Sequence, residues 1–223
     1  MDIKNINFYK HLMNKAMENK ARKDSIKIMD IIGEIFHNPL KIIFDVGANV
    51  GIYSLFFSAL NPDAIIYSFE PVKSNYDVLI KNISMNNTTN IRCYNFGFQT
   101  KESEIILGIP IDRESWNVGL YTCKYDGAIK DTVLCKMKNL SQWTRENSIK
   151  EIDLIKIDAE GSEYYIFSSS EDILKNTKFI HIEMNEFFNN KCNLIIDLLK
   201  KNNFYYFKTS RKSNQIWVNN LYF

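Results

Sequence analysis

A chain of 223 residues, 45% of them apolar and 24% charged, has the size and composition of one soluble α/β domain with at most a small appendage. Its formal net charge of +2 gives no ground for nucleic-acid binding. The cysteines at 93, 123, 135 and 192 form no C-x-x-C pair and no histidine stands at zinc spacing, so the pattern fits free thiols in a reducing cytoplasm.

Charges break the first 30 residues throughout, which argues against a signal peptide. No apolar run approaches the roughly 20 residues that span a bilayer. Ile3, Ile6, Leu12, Met13 and Ala16 recur at helical spacing, as do Ile28, Ile31, Ile32 and Ile35. Residues 1–37 therefore read as helical, and residues 1–40 as an N-terminal extension to a domain at 41–223. Residues 1–28 hold seven basic and three acidic side chains, an excess of four (seven minus three). Such an excess suits peripheral contact with an anionic membrane, although a solvated helix face is the more ordinary reading.

The domain opens on an apolar strand near 41–46, which meets Asp45 and then the turn Gly47-Ala48-Asn49-Val50-Gly51. A helix follows at 52–60, and a second strand at 65–70 ends in Glu70. A glycine turn after strand one and an acid after strand two is how a doubly wound sheet holds an adenosine ribose. The dinucleotide fingerprint requires a third glycine beside the pyrophosphate, and none follows Gly51 at that spacing. A ligand without a pyrophosphate fits better, and S-adenosylmethionine (SAM) is one. Asp45 can take its ammonium, the amides of the Gly47–Asn49–Gly51 turn its carboxylate, and Glu70 both ribose hydroxyls.

Further strands fall near 91–96, 153–158 and 178–184, and helices near 72–86, 140–147 and 191–201. This alternation predicts an α/β fold with a mostly parallel sheet covered on both faces. Gly97 and Phe98 end the third strand, where glycine permits close approach of an adenine and the aromatic supplies a wall or joins the core. Residues 203–208 and 214–220 read as a closing antiparallel hairpin. Residues 100–137 interrupt the alternation. Strands near 103–107 and 132–137 flank a long connection with the character of a lid or binding loop. Tyr121, Tyr125, Trp116 and Trp143 are candidates for an aromatic platform on which a substrate stacks.

Three motifs together resemble the FkbM family of SAM-dependent methyltransferases. They are Asp45-Val-Gly-Ala-Asn-Val-Gly51 with Tyr53-Ser54-Leu55, Phe69-Glu70-Pro71 with Asn75 and Leu79, and Lys156-Ile-Asp158-Ala-Glu160-Gly161 with Glu163. The resemblance covers about residues 40–186. It implies a class I methyltransferase, Rossmann-like fold: a seven-stranded, mostly parallel sheet with helices on both faces and an antiparallel closing strand. It also implies O-methylation of a sugar or natural-product hydroxyl. Asn117 and Gly119 resemble family residues of the 100–137 segment, which with Trp116 makes them substrate-binding candidates. Asn139-Leu140-Ser141 stands where members often carry an aspartate, a departure that puts any role of that acid in doubt.

Methyl transfer to a hydroxyl needs the acceptor oxygen aligned with the S–CH3 bond and its proton removed. Asp158, Glu160 and Glu183 are the candidate bases by strand position, and Asp158 doubles as a cofactor-binding candidate beside Asp45. His181, two residues before Glu183, is a further candidate base or a core histidine. Lys156 reads as a structural partner of these acids. Three carboxylates can also hold Mg²⁺, the less favoured reading. The partner expected is a small molecule or glycan, not a nucleic acid. Two alternatives remain: a nicotinamide-dependent oxidoreductase, disfavoured by the missing glycine, and a SAM-binding module without catalysis, which Ser141 permits.

Overall fold

The computed structural model describes residues 6–8, 15–110, 129–184, 191–211 and 213–223. Helix α1 (Lys15–Gly33) precedes β1 (Ile42–Val46), α2 (Ile52–Leu60), β2 (Ile65–Phe69), α3 (Lys73–Met85) and β3 (Ile91–Tyr94). Then come β4 (Gly97–Phe98), β5 (Ser103–Pro110), β6 (Ile129–Lys138), α4 (Leu140–Glu146) and β7 (Ile152–Ile157). Two short helices, α5 (Glu163–Ser168) and α6 (Glu171–Lys175), lead to β8 (Thr177–Glu183). The chain closes with α7 (Cys192–Lys201), β9 (Phe204–Arg211), β10 (Asn214–Asn219) and a short 3-10 turn.

Seven strands form the main sheet in the order β3-β2-β1-β7-β8-β10-β9. β3, β2, β1, β7 and β8 are parallel, and β10 runs antiparallel between β8 and β9. The sheet is thus the seven-stranded, mostly parallel one expected. All six residues of β7 are buried, as a central strand covered on both faces requires. The chain leaves β1 toward β3 and returns across it to β7. The crevice at the carboxyl ends of β1 and β7 is therefore the topological switch point, where ligands of such sheets bind.

One sheet face is covered by α1 and α2. Ile28, Ile31 and Ile32 pack there on Ile43, Phe57, Ile66, Leu154 and Ile216. Helix α1 begins at Lys15, while residues 6–8 are not helical, so the helical reading of the N-terminal segment holds only for part of the described residues. Its Lys20, Lys23 and Lys27 lie on the exposed side. The opposite sheet face carries an aromatic cluster of Phe44, Tyr67, Phe69, Phe96, Phe98 and Trp143. Phe69 and Trp143 meet edge to face at 4.9 Å between ring centroids.

Three features were not expected. β4, β6 and β5 form a separate three-stranded sheet, in which the two strands expected near 103–107 and 132–137 pair antiparallel and run longer, as Ser103–Pro110 and Ile129–Lys138. Helices α5 and α6 have six and five residues, too short for a helical period to show. Trp143 is only 3% exposed and belongs to the core cluster, so it forms no part of a stacking platform.

Candidate functional site

Strand register arranges the polar residues in rows. Cys93 pairs with Ser68, Ser68 with Asp45, Asp45 with Lys156, and Lys156 with His181. Paired residues point to one face, so these five side chains form a row across the sheet. Two positions further along their strands stand Glu70, Gly47 and Asp158, just past the ends of β2, β1 and β7, and Glu183, the last residue of β8. The lower row is buried apart from half-buried Cys93, and the upper one rims the switch-point crevice.

The lower row is wired together. Ser68 Oγ donates to Ser54 Oγ at 2.8 Å, and Ser54 Oγ donates to Asp45 Oδ2 at 2.6 Å. Lys156 Nζ lies 3.2 Å from Asp45 Oδ1 and 4.0 Å from Asp158 Oδ2. It also donates to the Gly47 carbonyl at 3.3 Å. Burial works against the ammonium, but Asp45 and Asp158 outweigh it and hold the Lys156 pKa above its ordinary value. Asp45 is fully enclosed and committed to Lys156 and Ser54. Its expected contact with a ligand ammonium is therefore not what this geometry offers. It pairs with Lys156 rather than lying level with Asp158, because Asp158 falls one residue beyond β7, its amide donating to the Val46 carbonyl at 3.1 Å.

The glycine turn is equally self-contained. The Gly47 and Ala48 amides both donate to the Phe69 carbonyl, at 3.0 and 2.9 Å. The Asn49 amide donates to Glu70 Oε2 at 2.8 Å, and the Gly51 amide to the Ala48 carbonyl at 2.8 Å. These amides are not the row of free donors that the sequence suggested. Gly47 and Gly51 adopt φ of +76° and +84°, and Asn49 sits at +51°, the left-handed region that Asn tolerates. A Cβ on Gly47 would stand 2.0 Å from the Asp158 carbonyl oxygen. Glycine is required here by the approach of the β7 loop.

Glu70 ties the crevice together. Its Oε1 accepts from the Val72 amide at 2.9 Å and its Oε2 from Asn49, and the Asn75 side chain donates to it as well. Burial pushes its pKa up to about 7, against the pull of those donors. A carboxylate offers about four lone-pair positions, so three donors leave it room for roughly one more. Beside it, Asn49 Oδ1 is buried and finds no hydrogen-bond partner among the described residues. An orphaned acceptor next to a partly satisfied carboxylate suits a ligand bearing two neighbouring hydroxyls.

Asp158 and Glu183 share a side-chain hydrogen bond at the ends of β7 and β8. Asp158 is 37% exposed, so this acid opens on the crevice. Burial first, and then the Asp158 charge, push Glu183 up to about 7. Glu160 is half-buried on the β7–α5 loop with a positive φ of 47°. Glu163, which the sequence reading left without a role, organises that loop: its Oε1 accepts from the Ala159 amide at 2.8 Å and the Gly161 amide at 3.4 Å. His181 is 2% exposed, its Nε2 lies 2.8 Å from Ser210 Oγ, and burial drives its pKa down to about 4. That environment keeps it neutral and enclosed, the setting of a core histidine.

Gly97 and Phe98 are both buried. A Cβ on Gly97 would meet Met137 Sδ at 2.8 Å, and Phe98 is 4.7 Å from Phe69 between ring centroids. Phe98 packs the small sheet against β2 of the main one, while Gly97 lies against Met137, its partner on β6. Ser141 donates from its hydroxyl to Asp172, joining α4 to α6, so its departure from the family pattern is taken up by a helix contact. Trp116, Asn117, Gly119, Tyr121 and Tyr125 lie outside the described residues. Among the described residues no three His, Cys, Asp or Glu side chains gather as a metal site, and no helix is long and apolar enough to cross a membrane.

A family model described as the methyltransferase FkbM domain matches residues 45–206. Methyltransferase sdnD of Sordaria araneosa is 27% identical over 169 residues, 63% of this chain and 64% of that protein, so the match spans under two thirds of that relative. The 2-O-methyltransferase NoeI of Sinorhizobium fredii (strain NBRC 101917 / NGR234) is 24% identical over 177 residues, 73% of this chain and 70% of that protein. Among solved structures, the METTL16 MTase domain superposes with a TM-score of 0.53 at 15% identity, covering 95% of this chain and 71% of that one. The family model spans most of the chain, from the Asp45 end of β1 to β9, and the chain belongs to the FkbM methyltransferase family, a SAM-dependent class I methyltransferase domain.

Proposed function

We propose that the protein methylates a hydroxyl of a sugar, carried on a surface glycan, a glycolipid or a glycosylated metabolite, with SAM as donor. The observation that carries this reading is the Asp158–Glu183 pair at the mouth of the crevice. A sugar hydroxyl is a very weak acid, so its transfer step needs a base, whereas an amine lone pair needs none. The O-methyl class is supported by the name of NoeI, a 2-O-methyltransferase. The sugar rests on the family resemblance. The acceptor in this reading is a small molecule or glycan and not a nucleic acid, and the reaction runs in the cytoplasm.

Bound SAM supplies a methyl group already activated on a sulfonium. The chain's residues do the rest. Glu70 accepts one ribose hydroxyl through its remaining lone pair and Asn49 Oδ1 accepts the other. Asp158, exposed at the crevice, accepts the acceptor's hydroxyl proton as the new O–C bond forms. Glu160 follows Asp158 by two residues on the loop that Glu163 braces. Labelled-methyl transfer from SAM to a panel of cell-envelope extracts tests the reading. Label that is released with the glycan fraction supports it. Label confined to protein or nucleic acid, or none above background, rejects it.

Glu70→Gln is expected to weaken SAM binding by at least about tenfold, since a hydrogen bond to a charged acceptor is worth roughly 1.5–3 kcal/mol. Glu70→Ala would also leave the Asn49 and Val72 amides unpaired, so Gln is the cleaner variant. A second signature is pH dependence. Glu70 titrates near 7 when free, and ribose hydroxyls favour its ionised form. SAM affinity should therefore strengthen as pH rises toward 7 and level off above it. Calorimetry across that range checks both, and a flat profile in the parent protein removes Glu70 from the ribose subsite.

A further inference from the structure

Lys156 is 3% exposed in the centre of the sheet, where an ammonium is costly unless paired. Asp45 already balances its charge at 3.2 Å. The second contact, 4.0 Å to Asp158 Oδ2, is not needed for charge balance. It is asymmetric, because Asp158 is hydrogen-bonded to Glu183 and Lys156 makes an ion pair with the first of these acids and not, among the described ion pairs, with the second. Two carboxyls joined by a hydrogen bond hold one proton between them.

We propose that Lys156 is a positioning residue that places the proton shared by Asp158 and Glu183 on Glu183, and so makes Asp158 the oxygen that receives the acceptor's proton. This rests on the base assignment given above. In the step itself the hydroxyl oxygen bonds to the methyl carbon, the carbon–sulfur bond breaks with its electron pair staying on sulfur, and the hydroxyl proton passes to Asp158. Glu183 keeps its own proton throughout.

The surroundings agree. Glu183 is faced by Asp158 from the end of β7, by Lys156 from within β7 and by Glu163 from α5. Lys156 is faced by Asp45 from β1, by His181 across the β8 ladder and by the Tyr53 ring from α2, 4.8 Å from the ammonium. Tyr53 in turn donates to Asp24 of α1 at 2.7 Å, and burial followed by that carboxylate raises its pKa, so the phenol stays neutral. Lys156 is the one cation of this group.

Carbon-13 NMR of protein labelled at its Asp and Glu carboxyl carbons, without SAM or acceptor, reads the pair directly. Glu183→Gln and Asp158→Asn assign the two signals. In the parent protein the Glu183 carboxyl should titrate near 7. In Lys156→Met that titration should move up by about one pH unit or more, the usual effect of losing a neighbouring opposite charge, and the Asp158 signal should move toward the protonated range. Lys156→Arg should leave both signals near their original positions. If Lys156→Met does not fold because Asp45 is left alone, the double variant Asp45→Asn/Lys156→Met removes both buried charges and is read the same way. Unmoved signals in whichever variant folds overturn the proposal. So does a parent protein in which Asp158 and not Glu183 carries the proton. Because no acceptor is present, this result is independent of whether the glycan assay succeeds.

Discussion

Gly47→Val is expected to destabilise the protein by at least about 4 kcal/mol, the range reserved for a buried clash with a named cause. The Cβ it introduces would stand 2.0 Å from the Asp158 carbonyl oxygen and 3.0 Å from its carbon. These are backbone atoms that a rotamer change cannot move. The position adds its own strain, because a φ of +76° costs an L-residue roughly 1–2 kcal/mol. Relief requires the β1 and β7 loops to separate, which also breaks the Lys156 contact with the Gly47 carbonyl. Gly47→Ala should be nearly as damaging, since the clash belongs to Cβ itself. Had glycine served only to admit a ligand carboxylate, the Ala variant would melt normally and lose SAM affinity alone. Gly51→Ala is the contrast. Its Cβ would lie 2.3 Å from Leu79 Cδ1, the end of a flexible side chain, so adding Leu79→Ala should restore part of the loss. Thermal melts of the four variants separate a steric turn from a binding turn.

That contrast shows what a sequence carries and what it withholds. β1, β2, β7 and β8 were legible because a buried parallel strand is a continuous apolar run, and each ends at a charged residue or a glycine. Glu70, Asp158 and Glu183 were legible for the same reason: each sits where such a run stops. The Asp45–Lys156 pair was not. Its members are 111 residues apart, and which residue of β7 faces which of β1 depends on register, a tertiary fact. Without register Asp45 looks like a ligand contact, and with it Asp45 is the counter-ion of a buried lysine. The turn amides misled in a similar way, because the Phe69 carbonyl and the Glu70 carboxylate that absorb them arrive from the next strand. Aromatic residues carry little positional information in a chain with 15 Phe and 12 Tyr, which is why Trp143 reads as a stacking candidate and Phe98 stays open between an adenine wall and the core, yet both belong to the core cluster. β4 was missed because two residues bear no periodicity.

Asp158→Asn should bind SAM and lose at least about a hundredfold in methyl transfer, the lower bound of general-base contributions. Asn keeps the shape of the side chain and its bond to Glu183 but has no lone pair basic enough to take a hydroxyl proton. The competing account gives Asp158 only a structural or ammonium-binding duty, since Lys156 lies 4.0 Å away. The two accounts diverge in order of effect. Lys156 retains Asp45 at 3.2 Å and the Gly47 carbonyl at 3.3 Å in the variant, so a purely catalytic role leaves melting temperature and SAM affinity close to the parent values. An anchoring role lowers one of those first. Removing Glu183 provides the converse. Glu183→Gln takes away the group that titrates near 7, so the change in rate as pH rises through that value, where Glu183 loses the proton it keeps during transfer, should disappear while a substantial rate remains. Near-normal turnover in Asp158→Asn, with loss in Glu183→Gln, would exchange the two roles and make Glu183 the base. Measured on one preparation with the same glycan acceptor, turnover, affinity and melting temperature decide which carboxyl takes the proton.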